Sequence, residues 1–381
     1  MKQKGSGSVL EHFAILPDPR RENHNTKRHK LIDIIVIAVL AIICGADDWP
    51  TIVAFGQKKE KWLRQFLELP YGIPSHDTFG RVFALLDPAA FQTCFFSWVR
   101  AAHRKTKGQV VAVDGKTNRR AHGKADNPLH IISAFATANG VVLGQLATSR
   151  KSNEITAVPK LLKLLDLAGC IVTADAMSCQ KKVVKTILEQ GADYVLAVKG
   201  NQQMLHQDLK RLFADGHRQN WKNGQNDYCE SSDKDHGRTE IRQCFTLSDP
   251  QLLRTIGVSR KDWLGLKSIA QVTCRRTERG RTTSATRYYI SSLAGNARQI
   301  LKVVREHWQI ENNLHWSLDV SFREDDSRVR IGHAQENLAA VRKLALTLLR
   351  RETTGRGGIK SRRLQAGWDE DYLLAAVGIR P

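Results

Sequence analysis

The sequence predicts an α/β protein whose core follows the order βββ-α-β-α-β-α, preceded by an α-helical N-terminal module and interrupted by a β-rich insertion before the last long helices. Three observations predict it. Helix-like intervals of apolar residues fill the first hundred positions. Short, β-branched, apolar runs begin at Gln109, and helical spacing returns at Asn296 after a polar and then β-rich stretch. These shifts divide the 381 residues into a helical module at 1–103, a first core part at 104–215, the insertion at 216–293, closing core helices at 294–351 and a basic tail at 352–381.

In the module, Ile34 to Cys44 is apolar throughout and reads as a buried helix, since eleven residues fall well short of the roughly 20 that span a bilayer. Thr51 to Leu69 and Phe79 to Trp98 carry helical mixtures, Pro70-Tyr-Gly-Ile-Pro74 interrupts them, and the Ser75 hydroxyl is placed to cap the restart. Gln109 to Asp114, His130 to Thr137 and Val141 to Thr148 read as strands, with Asn139-Gly140 as a hairpin signal between the last two. A helix at Glu154 to Leu167, a strand at Cys170 to Asp175, a helix at Cys179 to Gln190, a strand at Tyr194 to Lys199 and a helix at Gln202 to Phe213 complete the alternation. The insertion offers Thr239 to Leu247, Lys267 to Arg276 and Thr282 to Leu293 as antiparallel strands. A helix follows from Asn296 to Asp319, with room for a break, and another at Ala334 to Arg351. The tail, with Arg356, Lys360, Arg362 and Arg363 around Gly355, Gly357 and Gly358, reads as flexible and cationic up to Trp368.

Lys and Arg number 59 against 38 Asp and Glu, a formal charge of +21. The 41% hydrophobic and 25% charged fractions exclude a wholly disordered polybasic chain. The excess points to nucleic acid, because Lys and Arg gain free energy by displacing counterions from phosphates, but it does not separate an enzyme from a binder. Seven cysteines stand singly, none in C-x-x-C spacing, which argues against a disulfide scaffold or zinc ribbon and fits a reducing cytoplasm. No signal-peptide run opens the sequence, so a cytoplasmic location without membrane attachment is the expectation.

Asp114 ends the first core strand and Asp175 the fourth. Strand C-termini in α/β sheets open onto ligand-binding loops, and in this strand order the first and fourth strands would be neighbours. Residues 175 − 114 = 61 positions apart would then converge; the alternative is that each Asp merely caps its own turn. Two Mg²⁺ ions about 4 Å apart need several oxygen ligands, so a third carboxylate is expected from Arg305 to Asp319. Glu311 lies four residues from both His307 and His315 on one helical face, beside the apolar stripe Ile310, Leu314 and Leu318. Glu306, Asp319, Glu324 and Asp325 are its rivals. The His-x-x-x-Glu-x-x-x-His spacing also admits a zinc site, but His-Glu-x-x-His is absent and no further His or Cys is placed as a ligand. A cation collar surrounds the acids: Lys116, Arg119, Arg120, His122 and Lys124 after Asp114, Lys199, Asn201 and Gln202 after the fifth strand, and Arg305, His307, His315, Arg323 and Arg328 around Glu311. Such a collar suits a polyanion held while one phosphate is attacked. Trp308 and Trp316 are either core or stacking platforms for an unpaired base.

Seven stretches carry a family resemblance: Leu16-Pro-Asp-Pro-Arg-Arg21, Gly72-Ile-Pro-Ser-His-Asp-Thr-Phe79, Ala112-Val-Asp-Gly-Lys116, Lys151-Ser-Asn-Glu-Ile155, Thr173-Ala-Asp-Ala-Met177, Asp193 to Gln202 and His307 to Val320. In these the chain resembles the DDE transposases of bacterial insertion sequences, in the branch of the H-repeat-associated proteins of Rhs elements. The resemblance implies a ribonuclease-H-like catalytic core with a β-rich insertion, and metal-binding carboxylates at Asp114, Asp175 and Glu311. It further implies Mg²⁺, with Mn²⁺ as a substitute, cutting of DNA at the terminal repeats, strand transfer into target DNA, and a homodimer that forms on double-stranded DNA at the nucleoid. The wider superfamily's Tyr-Arg-Glu-Lys signature is not kept, since Val304, His307 and Leu318 stand at its Tyr, Arg and Lys positions. A DNA-binding relic without strand transfer is the alternative.

Overall fold

The computed structural model describes residues 8–21, 27–102, 107–119, 128–148, 154–221, 225–235, 237–256 and 263–379. The first helices are α1 (Val9–Phe13), α2 (Leu31–Ile43), α3 (Trp49–Leu63), α4 (His76–Leu85) and α5 (Pro88–Ala102). Nearly every residue of α2 is buried, including its one acid, Asp33, which accepts the Leu69 N–H at 3.0 Å and whose pKa burial pushes up. Ser75 caps α4 by accepting the Thr78 N–H, as its hydroxyl and position predict.

Strands β1 (Val110–Thr117), β2 (His130–Ala136) and β3 (Val141–Ala147) form an antiparallel meander whose second turn uses Gly140 at φ +65°. Parallel pairing needs crossover connections, and the chain supplies them: α6 (Glu154–Lys163) leads to β4 (Ile171–Ala174), and α7 (Lys181–Glu189) to β5 (Asp193–Val198). After α8 (Gln203–Arg218) come β6 (Asn226–Asp235), β7 (Arg238–Leu247), α9 (Pro250–Arg254), β8 (Ser268–Glu278) and β9 (Arg281–Ser291). The closing elements are α10 (Ala297–His307), a π-helical turn at Ile310–His315, α11 (Trp316–Val320), α12 (Ala334–Arg351), α13 (Ile359–Trp368) and α14 (Glu370–Val377).

All nine strands among the described residues join one mixed sheet in the order β3-β2-β1-β4-β5-β9-β8-β7-β6. The β-rich segment therefore extends the core sheet, because β9 pairs antiparallel with β5 from Val195↔Ser291 to Val198↔Tyr288. It also holds four strands where three are predicted. The additional strand, β6, is an edge of polar, mostly exposed residues, which carries no apolar alternation to read and suits an edge that must not recruit other strands.

Two other expectations differ from the structure. Helix α12 is buried around almost its whole circumference, polar residues such as Asn337 and Lys343 included, and packs against α2, α4, α5 and β3, so the N-terminal helices share a core with the closing ones. The tail is folded rather than flexible: Arg363 is buried, donates to the Ile42 and Ser321 carbonyls, pairs with Asp47 at 3.3 Å and lies over the Phe322 ring. Composition alone does not reveal a cation whose partners lie hundreds of residues away. No single helix among the described residues is long and apolar enough to cross a membrane.

Candidate active site

The β1–β4 ladder runs in register from Val110↔Ile171 to Val113↔Ala174. The next position on each side is an aspartate, Asp114 and Asp175. Residues opposite one another in a ladder project to the same face, with strands about 4.8 Å apart, so the two carboxylates stand side by side where the parallel pairing ends. Contrary to the sequence reading, Asp114 does not end its strand: β1 continues to Thr117 against β2 alone, with Asp114 opposite Ser133. Asp175 lies one residue beyond β4, and its Oδ1 accepts the Ser178 N–H at 3.2 Å.

Burial is the largest influence on Asp114 and, joined by the charges of Asp175, Glu311 and Glu154 against the Gly115 N–H, pushes its pKa up to about 7. Burial also raises Asp175, with Glu154 adding to the rise and the Ser178 amide and Lys199 opposing it. Glu311 projects from the π turn, whose wider register is marked by the Trp316 N–H bonding back to the Glu311 carbonyl. Ile310 and Leu314 anchor that turn in the core, while Glu311 itself is exposed and its carboxylate has no hydrogen-bond or ion-pair partner among the described residues.

Its rivals are all occupied elsewhere. Glu306 accepts from Thr137 Oγ1 at 3.3 Å, and Asp319, Glu324 and Asp325 close around Lys116 Nζ at 2.7, 3.3 and 2.9 Å. Lys116, expected on DNA, is thereby locked inside the protein with 9% of its side chain exposed. Burial opposes the charge on Glu324, but Lys343, Lys116 and Arg342 outweigh it and hold its pKa below the usual range. Lys343 is itself buried, its pKa pushed down to about 8, and it donates to Gln145 Oε1 at 2.6 Å.

The rest of the predicted collar divides. His307 and His315 are pushed by burial down to about 4, so both are neutral at pH 7. His307 Nδ1 meets Thr173 Oγ1 at 3.0 Å, and His315 Nδ1 lies 3.7 Å from Asp114 Oδ2. Asn201 donates to the Ala176 carbonyl at 2.5 Å and Gln202 to that of Cys179 at 3.0 Å, so both brace the loop after Asp175. Lys199 and Arg119 are exposed, and Arg305 is half-exposed against Asp233 at 2.7 Å. Arg120, His122 and Lys124 lie outside the described residues. Trp308 is covered by the Arg287 guanidinium at 5.0 Å, whereas Trp316 is 58% exposed.

Sequence reasoning missed Glu154 and His130. His130 Nε2 meets Glu154 Oε1 at 2.7 Å and its Nδ1 meets Thr117 Oγ1 at 2.8 Å. Both groups press on the backbone directly after Asp114, where a Cβ on Gly115 would collide with each of them. The available signal was Glu154 opening the helix after the third strand, within Lys151 to Ile155.

The donor set of carboxylate oxygens, gathered without a compensating cation on Asp114, matches what Mg²⁺ or Mn²⁺ binds. Among the described residues no three His, Cys, Asp or Glu side chains converge closely enough to hold an ion as they stand. Away from these acids, the N-terminal helices border a cavity of about 680 Å³ lined by Arg20, Arg21, Arg28, Ser75, Thr78 and Arg81, among others.

A family model described as "Transposase DDE domain" matches residues 105–348, and one described as "DDE_Tnp_1-associated" matches residues 10–99. The chain is 37% identical over 375 residues to the H repeat-associated putative transposase YhhI of Escherichia coli K12, covering 97% of each chain. It is 45% identical over 284 residues to an uncharacterized protein in the dhlA 3′ region of Xanthobacter autotrophicus, covering 74% of this chain and 92% of that one. A solved structure of a piggyBac transposase synaptic complex with hairpin DNA aligns over 97% of this chain and 76% of that one at 11% identity, with a TM-score of 0.43.

Proposed function

The chain belongs to the transposase DDE domain family, and from that premise we propose that it is a DNA transposase that cuts phosphodiester bonds at the ends of its own element and joins the freed 3′-hydroxyls to target DNA. The observation that supports this best is the adjacent register of Asp114 and Asp175 beyond Val113↔Ala174, with Glu311 as a further charge felt by Asp114. The strand order β3-β2-β1-β4-β5, antiparallel and then parallel, supports a ribonuclease-H-like core.

Asp114, Asp175 and Glu311 are the proposed holders of two divalent ions, Mg²⁺ or Mn²⁺. When bound, such ions supply an activated water and stabilise the leaving oxygen, so no covalent protein intermediate is needed. The chain's own residues do the rest. Asp114 gives up its proton to ligate, Asn201 and Gln202 hold the loop that carries Asp175, and exposed Lys199 offers a charge to the attacked strand. The N-terminal arginine cavity supports a second grip on the DNA backbone: Arg28 and Arg81 line it, and neither has a carboxylate partner among the described residues. Pairing two element ends requires a homodimer on DNA.

The open spacing of the acids favours one second reading, a DNA-binding relic without cleavage. A gel assay on element ends with Mg²⁺ or Mn²⁺ separates the two. The transposase nicks the substrate, and Asp114→Ala, Asp175→Ala and Glu311→Ala each bind DNA without cutting it. Retained cutting by these variants overturns the residue assignments, and a wild type that binds but never nicks establishes the relic.

A further inference from the structure

We propose that Glu154 is a fourth carboxylate of the metal centre, aimed into it by a Thr117–His130–Glu154 hydrogen-bond chain that Gly115 makes room for. This rests on the assignment of Asp114 and Asp175 as metal ligands and extends it.

Thr117 closes β1, His130 opens the antiparallel β2 opposite it in the ladder, and Glu154 lies in the first turn of α6. Three separate segments thus deliver one contact chain. Thr117 Oγ1 and His130 Nδ1 are 2.8 Å apart, and His130 Nε2 and Glu154 Oε1 are 2.7 Å apart. One assignment of protons satisfies both contacts with a neutral ring: the threonine hydroxyl donates to Nδ1, and Nε2–H donates to the carboxylate. An imidazole held in this way fixes the carboxylate's orientation, as hydrogen-bonded outer groups do around bound metals. Only one carboxylate oxygen is used. Glu154 Oε2 has no partner among the described residues, and the carboxylate is largely buried, with 19% of its side chain exposed.

The location decides what that oxygen is for. Gly115 follows Asp114 directly, and any side chain there would strike Glu154 Oε1 and His130 Nε2. The absence of a Cβ lets the Glu154 carboxylate reach the backbone position that follows Asp114. The Glu154 charge also raises the pKa of both Asp114 and Asp175, in keeping with that position. A structural His–Glu pair needs no such approach to two other carboxylates; without metal, protonation of Asp114 relieves the repulsion, and a shared divalent cation would take the place of that proton.

The test is Mn²⁺ binding to the full-length protein by isothermal titration calorimetry, with the melting temperature in EDTA as the folding control. Glu154→Gln keeps the shape and removes the charge; it is expected to melt no lower than wild type in EDTA and to bind Mn²⁺ at least tenfold more weakly. His130→Ala is expected to lose about tenfold in affinity, and His130→Gln, which retains a donor toward Glu154, to recover most of it. Wild-type Mn²⁺ affinity in Glu154→Gln, with binding lost in Asp114→Asn, overturns the proposal and leaves the metal centre standing. A wild type that binds no Mn²⁺ overturns the metal centre itself, and the proposal with it.

Discussion

Asp114→Asn should make the metal-free protein more stable at alkaline pH. In the folded chain the Asp114 pKa is raised from 3.8 to about 7, by burial first and then by the neighbouring acids. A carboxyl raised in this direction stabilises the fold fully below its unfolded pKa of 3.8, and that contribution is lost as pH rises through about 7. A rise from 3.8 to about 7 at 1.36 kcal/mol per pH unit gives roughly 4 kcal/mol of destabilisation by pH 8. Asparagine never ionises and its amide oxygen can still accept the Gly115 N–H. The variant should therefore exceed wild type by up to about 4 kcal/mol at pH 8 in EDTA, and by only about 1 to 2 kcal/mol at pH 5. Urea denaturation at the two pH values measures this. Saturating Mn²⁺ should reverse the order at pH 8, since metal binding stabilises only a chain that can ligate it. An Asn variant no more stable than wild type at pH 8 in EDTA would refute the claim that Asp114 carries an uncompensated buried charge.

Two other outcomes follow from the same geometry. Lys116→Met removes the cation that contacts Asp319, Glu324 and Asp325 together and should cost about 3 to 5 kcal/mol in urea denaturation; a loss below about 1 kcal/mol would mean Lys343 and Arg342 suffice for Glu324. Arg28→Ala combined with Arg81→Ala should weaken binding to element ends and reduce the slope of log affinity against log salt by about two, without altering Mn²⁺ binding; an unchanged slope would remove the N-terminal cavity from the DNA path.

Much of the fold was legible because its signals are local. β-branched runs mark β1 to β5, and the Asn139-Gly140 turn and the Ser75 cap each depend on chemistry within a few residues. The neighbouring placement of β1 and β4 followed from strand order alone. What stayed hidden depends on partners far away in sequence. Nothing near Lys116 announces that Asp319, Glu324 and Asp325 enclose it, and nothing near Arg363 announces the Ile42 carbonyl. The helical face drawn through His307, Glu311 and His315 was legible only as spacing. The fold buries both imidazoles and leaves the carboxylate in the open, because the π turn begins between the first histidine and the glutamate. Glu154 was passed over because a lone acid at a helix start has an ordinary reason to be there, its attraction to the helix dipole.

The Arg363 guanidinium has a consequence for biosynthesis. It satisfies the Ile42 carbonyl in the last turn of a helix 321 positions earlier, so a growing polypeptide on the ribosome carries that hydrophobic rod with this carbonyl unsealed until residue 363 has been added. A chain cut short before residue 363 would lack the guanidinium that joins Ile42, Ser321 and Asp47, and would leave those groups without that donor.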